Sequence, residues 1–127
     1  AQGQPIYHTN VLMCIATQFA LVALEAIVDP KRANEVRQRL EETGREVLPI
    51  SQQQVADFAG NAIELSTPQG RVLALSARAA TSLTDQQRCV IERSARLLPL
   101  HVPTIELAGG SVRCMLAGIH LAPRRAG

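Results

Sequence analysis

Val11-Leu12-Met13-Cys14-Ile15-Ala16-Thr17-Gln18-Phe19-Ala20-Leu21-Val22-Ala23-Leu24 contains two short apolar runs, residues 11–15 and 19–24, parted by Ala16-Thr17-Gln18. Runs this short, bounded by polar residues, read as a pair of buried antiparallel strands. Downstream, Asp29-Pro30 opens a helix, with aspartate as the cap and proline in the first turn. Ala33, Val36 and Leu40 follow at helical spacing, while Arg32, Glu35, Arg39 and Glu42 face water. Gly44 stands where a helix C-terminal glycine belongs. Residues 46–50 read as a third strand. Ser51 then caps a short helix with Val55 and Phe58 on one face.

The same order returns. Residues 62–65 and 72–75 form a second strand pair around the Pro68-Gln69-Gly70 turn. Thr84 and Gln87 make a capping box for a helix through about Leu97. Residues 98–102 read as the next strand. Residues 105–107 and 113–121, on either side of a glycine loop, read as strand segments, and 123–127 as a frayed tail. Strand, strand, helix, strand therefore occurs twice, at a period of roughly 50 residues. The fold class is α/β (α+β), with a final strand segment carrying Cys114.

The totals set bounds on function. At 127 residues the chain holds one domain with a modest core. Hydrophobic residues are 46% and charged residues 19%, so the sequence is globular in composition. Aromatics are only 2%, which leaves no stacking platform for bases. The net charge of +2 is spread along the chain and makes no phosphate-tracking stripe, so no nucleic-acid partner is expected. The longest apolar stretch is broken by Glu25 and is too short to span a bilayer. Ala1-Gln2-Gly3-Gln4-Pro5 does not look like a secretory signal. Three cysteines, at spacings unlike a disulfide framework or a zinc motif, are expected to be reduced thiols in a cytoplasm. No cofactor or metal is called for.

The chemistry lies near the two ends of the chain. Leu107-Ala108-Gly109-Gly110-Ser111-Val112-Arg113-Cys114-Met115-Leu116 carries a thiol out of a glycine loop, beside a cation that favours the thiolate. At Gly109 and Gly110 no Cβ blocks a substrate from the backbone N–H groups. Pro5-Ile6-Tyr7-His8-Thr9-Asn10 leads an imidazole into the first apolar run. A thiol and an imidazole far apart in sequence are the material of nucleophilic catalysis. Cys14 inside an apolar run, Cys89 on a helix, and His101 and His120 without such context read as structural.

Tyr7-His8-Thr9-Asn10-Val11, Phe58-Ala59-Gly60-Asn61 and Gly109-Gly110-Ser111-Val112-Arg113-Cys114-Met115 resemble the C-terminal part of the guanidine-modifying enzymes. These are the pentein superfamily of amidinotransferases, arginine deiminases and dimethylarginine dimethylaminohydrolases, and the arginine-deiminase-related, citrulline-hydrolase-like branch is the most similar. The resemblance covers nearly the whole chain, with Ala108 where relatives often carry a third glycine. It implies a partial β/α-propeller, about two units of a five-unit ring. Residues 1–127 are then the C-terminal portion of a longer domain, with the N-terminal portion absent.

The resemblance also implies roles. Cys114 is the nucleophile and His8 its acid–base partner. Asn10, where relatives that hydrolyse arginine often carry aspartate, is a substrate-binding residue that suits a neutral ureido group. On a strand it would share a face with His8. Asn61 either binds substrate or bonds the turn backbone. Glu106 orients His8, contacts substrate, or is simply exposed. Arg113 holds a substrate carboxylate or only biases the thiol. Gly109 and Gly110 offer amides to a developing charge.

The expected function is a cysteine-dependent hydrolase, or an amidinotransferase, acting on the C–N bond of a small guanidino or ureido compound such as arginine or citrulline. The alternative is a non-catalytic pentein fragment that binds or oligomerises. Apolar unit edges favour self-association in either case.

Overall fold

The computed structural model describes residue 6, residues 8–119 and residue 121. Tyr7, His120 and the expected tail lie outside the described residues. Two three-stranded sheets carry the fold. In the first, β1 (Met13–Ile15), β2 (Phe19–Val22) and β3 (Glu46–Pro49) lie in that order. In the second, β4 (Ile63–Thr67), β5 (Gly70–Ser76) and β6 (Arg96–Leu100) repeat it. Each sheet pairs its first two strands antiparallel and its last two parallel. A hairpin serves the antiparallel pair, whereas parallel neighbours need a crossover, which a helix supplies. This is the strand-strand-helix-strand repeat expected from the sequence.

The middle strands are buried on both faces. Phe19 through Val22 and Val72 through Ser76 are all inside. That is why these stretches read as continuous apolar runs without alternation. Phe19, Leu21, Leu73, Leu75 and Ile91 are almost wholly excluded from water and join one hydrophobic cluster that spans both sheets. Each such side chain contributes about 2 kcal/mol by transfer from water.

Local signals account for the crossovers. Helix α2 (Pro30–Glu42) begins where the Asp29 side chain accepts from the Lys31 N–H at 2.9 Å. It ends in a double-bonded cap. The Gly44 N–H reaches the Glu41 carbonyl and the Arg45 N–H reaches that of Leu40, with Gly44 at φ +81°. Capping boxes open α3 (Gln52–Ala56) at Ser51 and Gln54, and α5 (Asp85–Glu92) at Thr84 and Gln87. The two box glutamines then meet. Gln54 Nε2 donates to Gln87 Oε1 at 2.7 Å, and Gln87 Nε2 donates to the Pro49 carbonyl at 2.8 Å. A buried, mutually satisfied amide pair thus joins the repeats.

Four expectations are corrected. A one-turn helix, α1 (Thr9–Leu12), stands between His8 and β1, so His8 and Asn10 do not share a strand face. Helix α5 stops at Glu92, well before Leu97. The Arg93 and Ser94 N–H groups turn to Val90 and Ile91, and Arg96 through Leu100 pair in parallel with Val72 through Ser76. Before it, α4 (Ala77–Ser82), capped by Ser76, forms an unexpected turn of helix. Residues 105–107 belong to helix α6 (Pro103–Leu107), where Pro103 presets the first-turn φ. Finally, Cys114 rides a 3-10 turn, Val112–Met115, and no strand follows it among the described residues. The Arg113 N–H donates to the Asn61 carbonyl at 3.2 Å, and the Cys114 N–H donates to the Ser111 carbonyl at 3.1 Å with Asn61 Oδ1 as a longer second acceptor at 3.4 Å, so neither is free to join a ladder.

Candidate active site

Three segments converge: α1 ahead of β1, the turn ahead of β4, and the loop after α6. The middle one is built most stiffly. After α3 the chain enters Phe58 at φ +63°, a left-handed conformation uncommon outside glycine. Asp57 fixes it by accepting from Gln53 and from Arg78, the latter at 2.7 Å. These two bonds, Gln53 first, hold the Asp57 carboxyl below its ordinary range. The Arg78 guanidinium in turn lies 5.6 Å from the Phe58 ring centre. Gly60 follows against α1, so close that a Cβ there would lie 2.4 Å from the Val11 carbonyl oxygen.

This turn delivers Asn61, which is completely buried. Its Oδ1 accepts from the Ser111 N–H at 3.0 Å and the Cys114 N–H at 3.4 Å. Its backbone carbonyl accepts from the Arg113 N–H at 3.2 Å. Its Nδ2 donates to the Asn10 carbonyl at 2.8 Å and to Cys114 Sγ at 3.1 Å. One residue therefore ties all three segments together. Asn10 adds its own Nδ2, 3.7 Å from the same sulfur, while its Oδ1 is buried with no hydrogen-bond partner among the described residues.

The thiols differ in environment. Cys114 is exposed and faces two amide donors. Cys14 is buried, and its thiol is pushed up to about 12, chiefly by burial, then by Glu64, with Arg113 opposing. At neutral pH Cys14 is therefore protonated and unreactive. Among the described residues all three cysteines are free thiols, and no His, Cys, Asp or Glu cluster could hold a metal ion.

The glycine loop has two distinct demands. Gly109 sits at φ +90° with open space around it, so only its backbone conformation matters. At Gly110 a Cβ would crowd Cys114, 3.1 Å from its Cβ and 3.3 Å from Sγ. Ala108 has φ −82° and ψ 0°, ordinary for alanine, so the loop needs no glycine there. The Gly109 N–H already donates to the Glu106 carbonyl, which leaves it engaged in the resting structure.

The other sequence candidates are placed as follows. His8 is exposed at the head of α1, two residues before Asn10. Glu106 accepts from the Ser111 hydroxyl at 3.2 Å and helps line a separate hollow of about 420 Å³ with Arg78 and His101. Cys114 does not line that hollow. The Arg113 guanidinium donates to the Leu116 carbonyl at 2.9 Å. Ser111 is the residue sequence reading passed over. It is fully buried and bonded at both its N–H and its hydroxyl. The repeat held a signal for it, because Asn61 and Ser111 follow α3 and α6 through similar turns.

A family model described as N,N dimethylarginine dimethylhydrolase, eukaryotic, matches residues 1–121. The chain belongs to this family. That family lies within the superfamily of guanidine-modifying penteins, as the sequence resemblance implied. Among solved structures it is similar to apo ArgZ, an arginine dihydrolase from the ornithine-ammonia cycle in cyanobacteria, at TM-score 0.64 and 14% identity. It is equally similar to AgrE in ternary complex with ornithine and NAD+, at TM-score 0.64 and 17% identity. The product-bound N-terminal domain of ArgZ follows at TM-score 0.61 and 16% identity. Each likeness covers 86% of this chain but only 16%, 14% and 36% of the respective relative. At such identities these relatives establish the fold. No curated protein matches the chain. No helix among the described residues is long and apolar enough to cross a membrane.

Proposed function

We propose that the chain supplies the nucleophile and the acid–base group of a hydrolase that cleaves a C–N bond of a small guanidino or ureido compound. The observation that carries this reading is the pair of amide donors, Asn61 and Asn10, directed at the exposed sulfur of Cys114. Hydrogen bonds to the charged form favour a thiolate over a thiol. Membership of a dimethylarginine dimethylhydrolase family supports the same substrate class.

The chemistry runs in two halves. The Cys114 thiolate adds to the central carbon, and the tetrahedral adduct collapses as the C–N bond breaks. His8 gives the leaving amine its proton, and the carbon stays bonded to sulfur. His8 then takes a proton from water. The resulting hydroxide adds to the carbon, the C–S bond breaks, and an oxygen replaces the departed nitrogen. No electrons are transferred and no cofactor is required. With an amine as acceptor in place of water, the same intermediate gives amidino transfer.

Asn10 sets the substrate preference in this scheme. Its unpartnered Oδ1 needs an N–H donor, which both guanidino and ureido groups supply. A neutral amide gains less from a cation than a carboxylate would. We therefore expect Asn10→Asp to move the ratio of guanidino to ureido turnover by about tenfold toward the cation. The test is a screen of the full-length protein and this variant against arginine, citrulline, agmatine and methylated arginines. A ratio that does not move would remove Asn10 from the specificity site. No turnover of any guanidino or ureido compound would overturn the function.

The two repeats fit as about two units of a closed ring of five. Val28, Leu107 and Ile119 are exposed apolar side chains of the kind a neighbouring unit would cover. The same side chains favour the second reading, association of this segment without turnover. Three free thiols suit a reducing compartment such as the cytoplasm.

A further inference from the structure

We infer that Asn61 is a positioning residue for Cys114: its carboxamide holds the loop by accepting from two amides and activates the sulfur by donating to it. This rests on the nucleophile reading above. Asn61 is fully buried, so each of its polar atoms must be satisfied from within the protein. Oδ1 takes the Ser111 and Cys114 N–H groups, and Nδ2 takes the Asn10 carbonyl and Cys114 Sγ. The orientation of the amide is fixed by this set. Oδ1 faces two N–H donors, which an NH2 group would repel, and Nδ2 faces a carbonyl oxygen that can only accept.

The consequence is directional. An N–H proton aimed at sulfur stabilises the thiolate more than the thiol. Because Asn61 also grips both ends of the Ser111–Cys114 turn, the backbone that carries the sulfur is held beside that proton. Its backbone position is equally constrained, by Phe58 at φ +63° on one side and by Gly60 against Val11 on the other. Asn61 therefore does not need to touch substrate to matter for the reaction.

Asn61→Asp separates the two roles. The carboxylate retains the acceptors for Ser111 and Cys114 but replaces the donors to Asn10 and Sγ with a negative oxygen. In the full chain, iodoacetamide labelling of Cys114 near neutral pH is expected to slow by about tenfold or more. In strongly alkaline buffer, where sulfur ionises regardless of its neighbours, the deficit should disappear. A purely structural role predicts the same deficit at every pH, and that result would overturn the inference, as would an unchanged rate. Should the variant fail to fold, the unsubstituted chain answers instead. The Asn61 side-chain amide proton resonances should move with pH as Cys114 ionises, and stay fixed in Cys114→Ser. Resonances that ignore the thiol would sink the assignment. The outcomes also distinguish the two layers. A Cys114 in the unsubstituted chain that labels no faster than a free thiol removes the nucleophile reading and the Asn61 role with it. Fast labelling in both proteins removes only the Asn61 role.

Discussion

Cys114→Ala in the full-length protein is expected to lower kcat by about 10⁴-fold or more. The sulfur is the only protein group in the scheme that forms a bond to carbon. His8 can move protons, and Asn10 can orient a substrate, but neither can replace a covalent nucleophile. The fold should barely respond. Alanine keeps the Cβ that packs beside Gly110, and the thiol is at the surface, so the loss should be about 1 kcal/mol, from the Asn61 Nδ2 donor that no longer meets Sγ. Activity assays beside a urea melt would read both numbers. A variant that keeps ordinary turnover would show that the reaction does not pass through this cysteine. A variant that loses activity together with its fold would show that Cys114 is structural.

Gly60→Ala should produce the largest loss of stability of any small substitution in the site. The new Cβ would lie 2.4 Å from the Val11 carbonyl oxygen and 3.0 Å from two carbonyl carbons, all backbone atoms of α1. No side chain can rotate aside, so α1 or the Phe58–Asn61 turn has to shift. We expect about 3 kcal/mol of destabilisation, read as a lower urea midpoint at unchanged m-value. Because the same turn carries Asn61, Cys114 labelling should slow as well. Gly44→Ala is the useful comparison. It meets no atom within 4 Å but must adopt φ +81°, so about 1 kcal/mol is expected there, with no effect on Cys114. Equal effects at the two glycines would mean that close approach to α1 is not what Gly60 provides.

Local chemistry was legible in the sequence. Asp29-Pro30, Ser51 with Gln54, Thr84 with Gln87, and Gly44 each place a helix end by bonds within a few residues, and the structure has every one. The repeat was legible for the same reason, since buried middle strands leave unbroken apolar runs. Cys114 and Asn10 could be singled out by residue type and by likeness to known motifs. What escaped were features set by partners far along the chain. Residues 113–121 carry an apolar pattern that reads as strand, yet the Arg113 N–H goes to the carbonyl of Asn61, some fifty positions earlier, and the Cys114 N–H is shared between the Ser111 carbonyl and Asn61 Oδ1. The end of α5 is likewise set by pairing of β6 with β5, not by a breaker in the sequence. Asn61 itself had two readings of equal weight, substrate contact or turn support. Its bonds run to Ser111, Cys114 and Asn10, partners 50 or more positions away that no local pattern names.

The central claim is that Cys114 forms a bond to the carbon of a guanidino or ureido substrate. Rapid acid quench of the full-length protein during turnover, followed by digestion and mass mapping, tests it most directly. The account predicts a mass increase equal to the substrate less its leaving amine, confined to the peptide that contains Cys114 and absent from those of Cys14 and Cys89. An adduct on either of those other cysteines, or turnover with no covalent species on any cysteine, would contradict it.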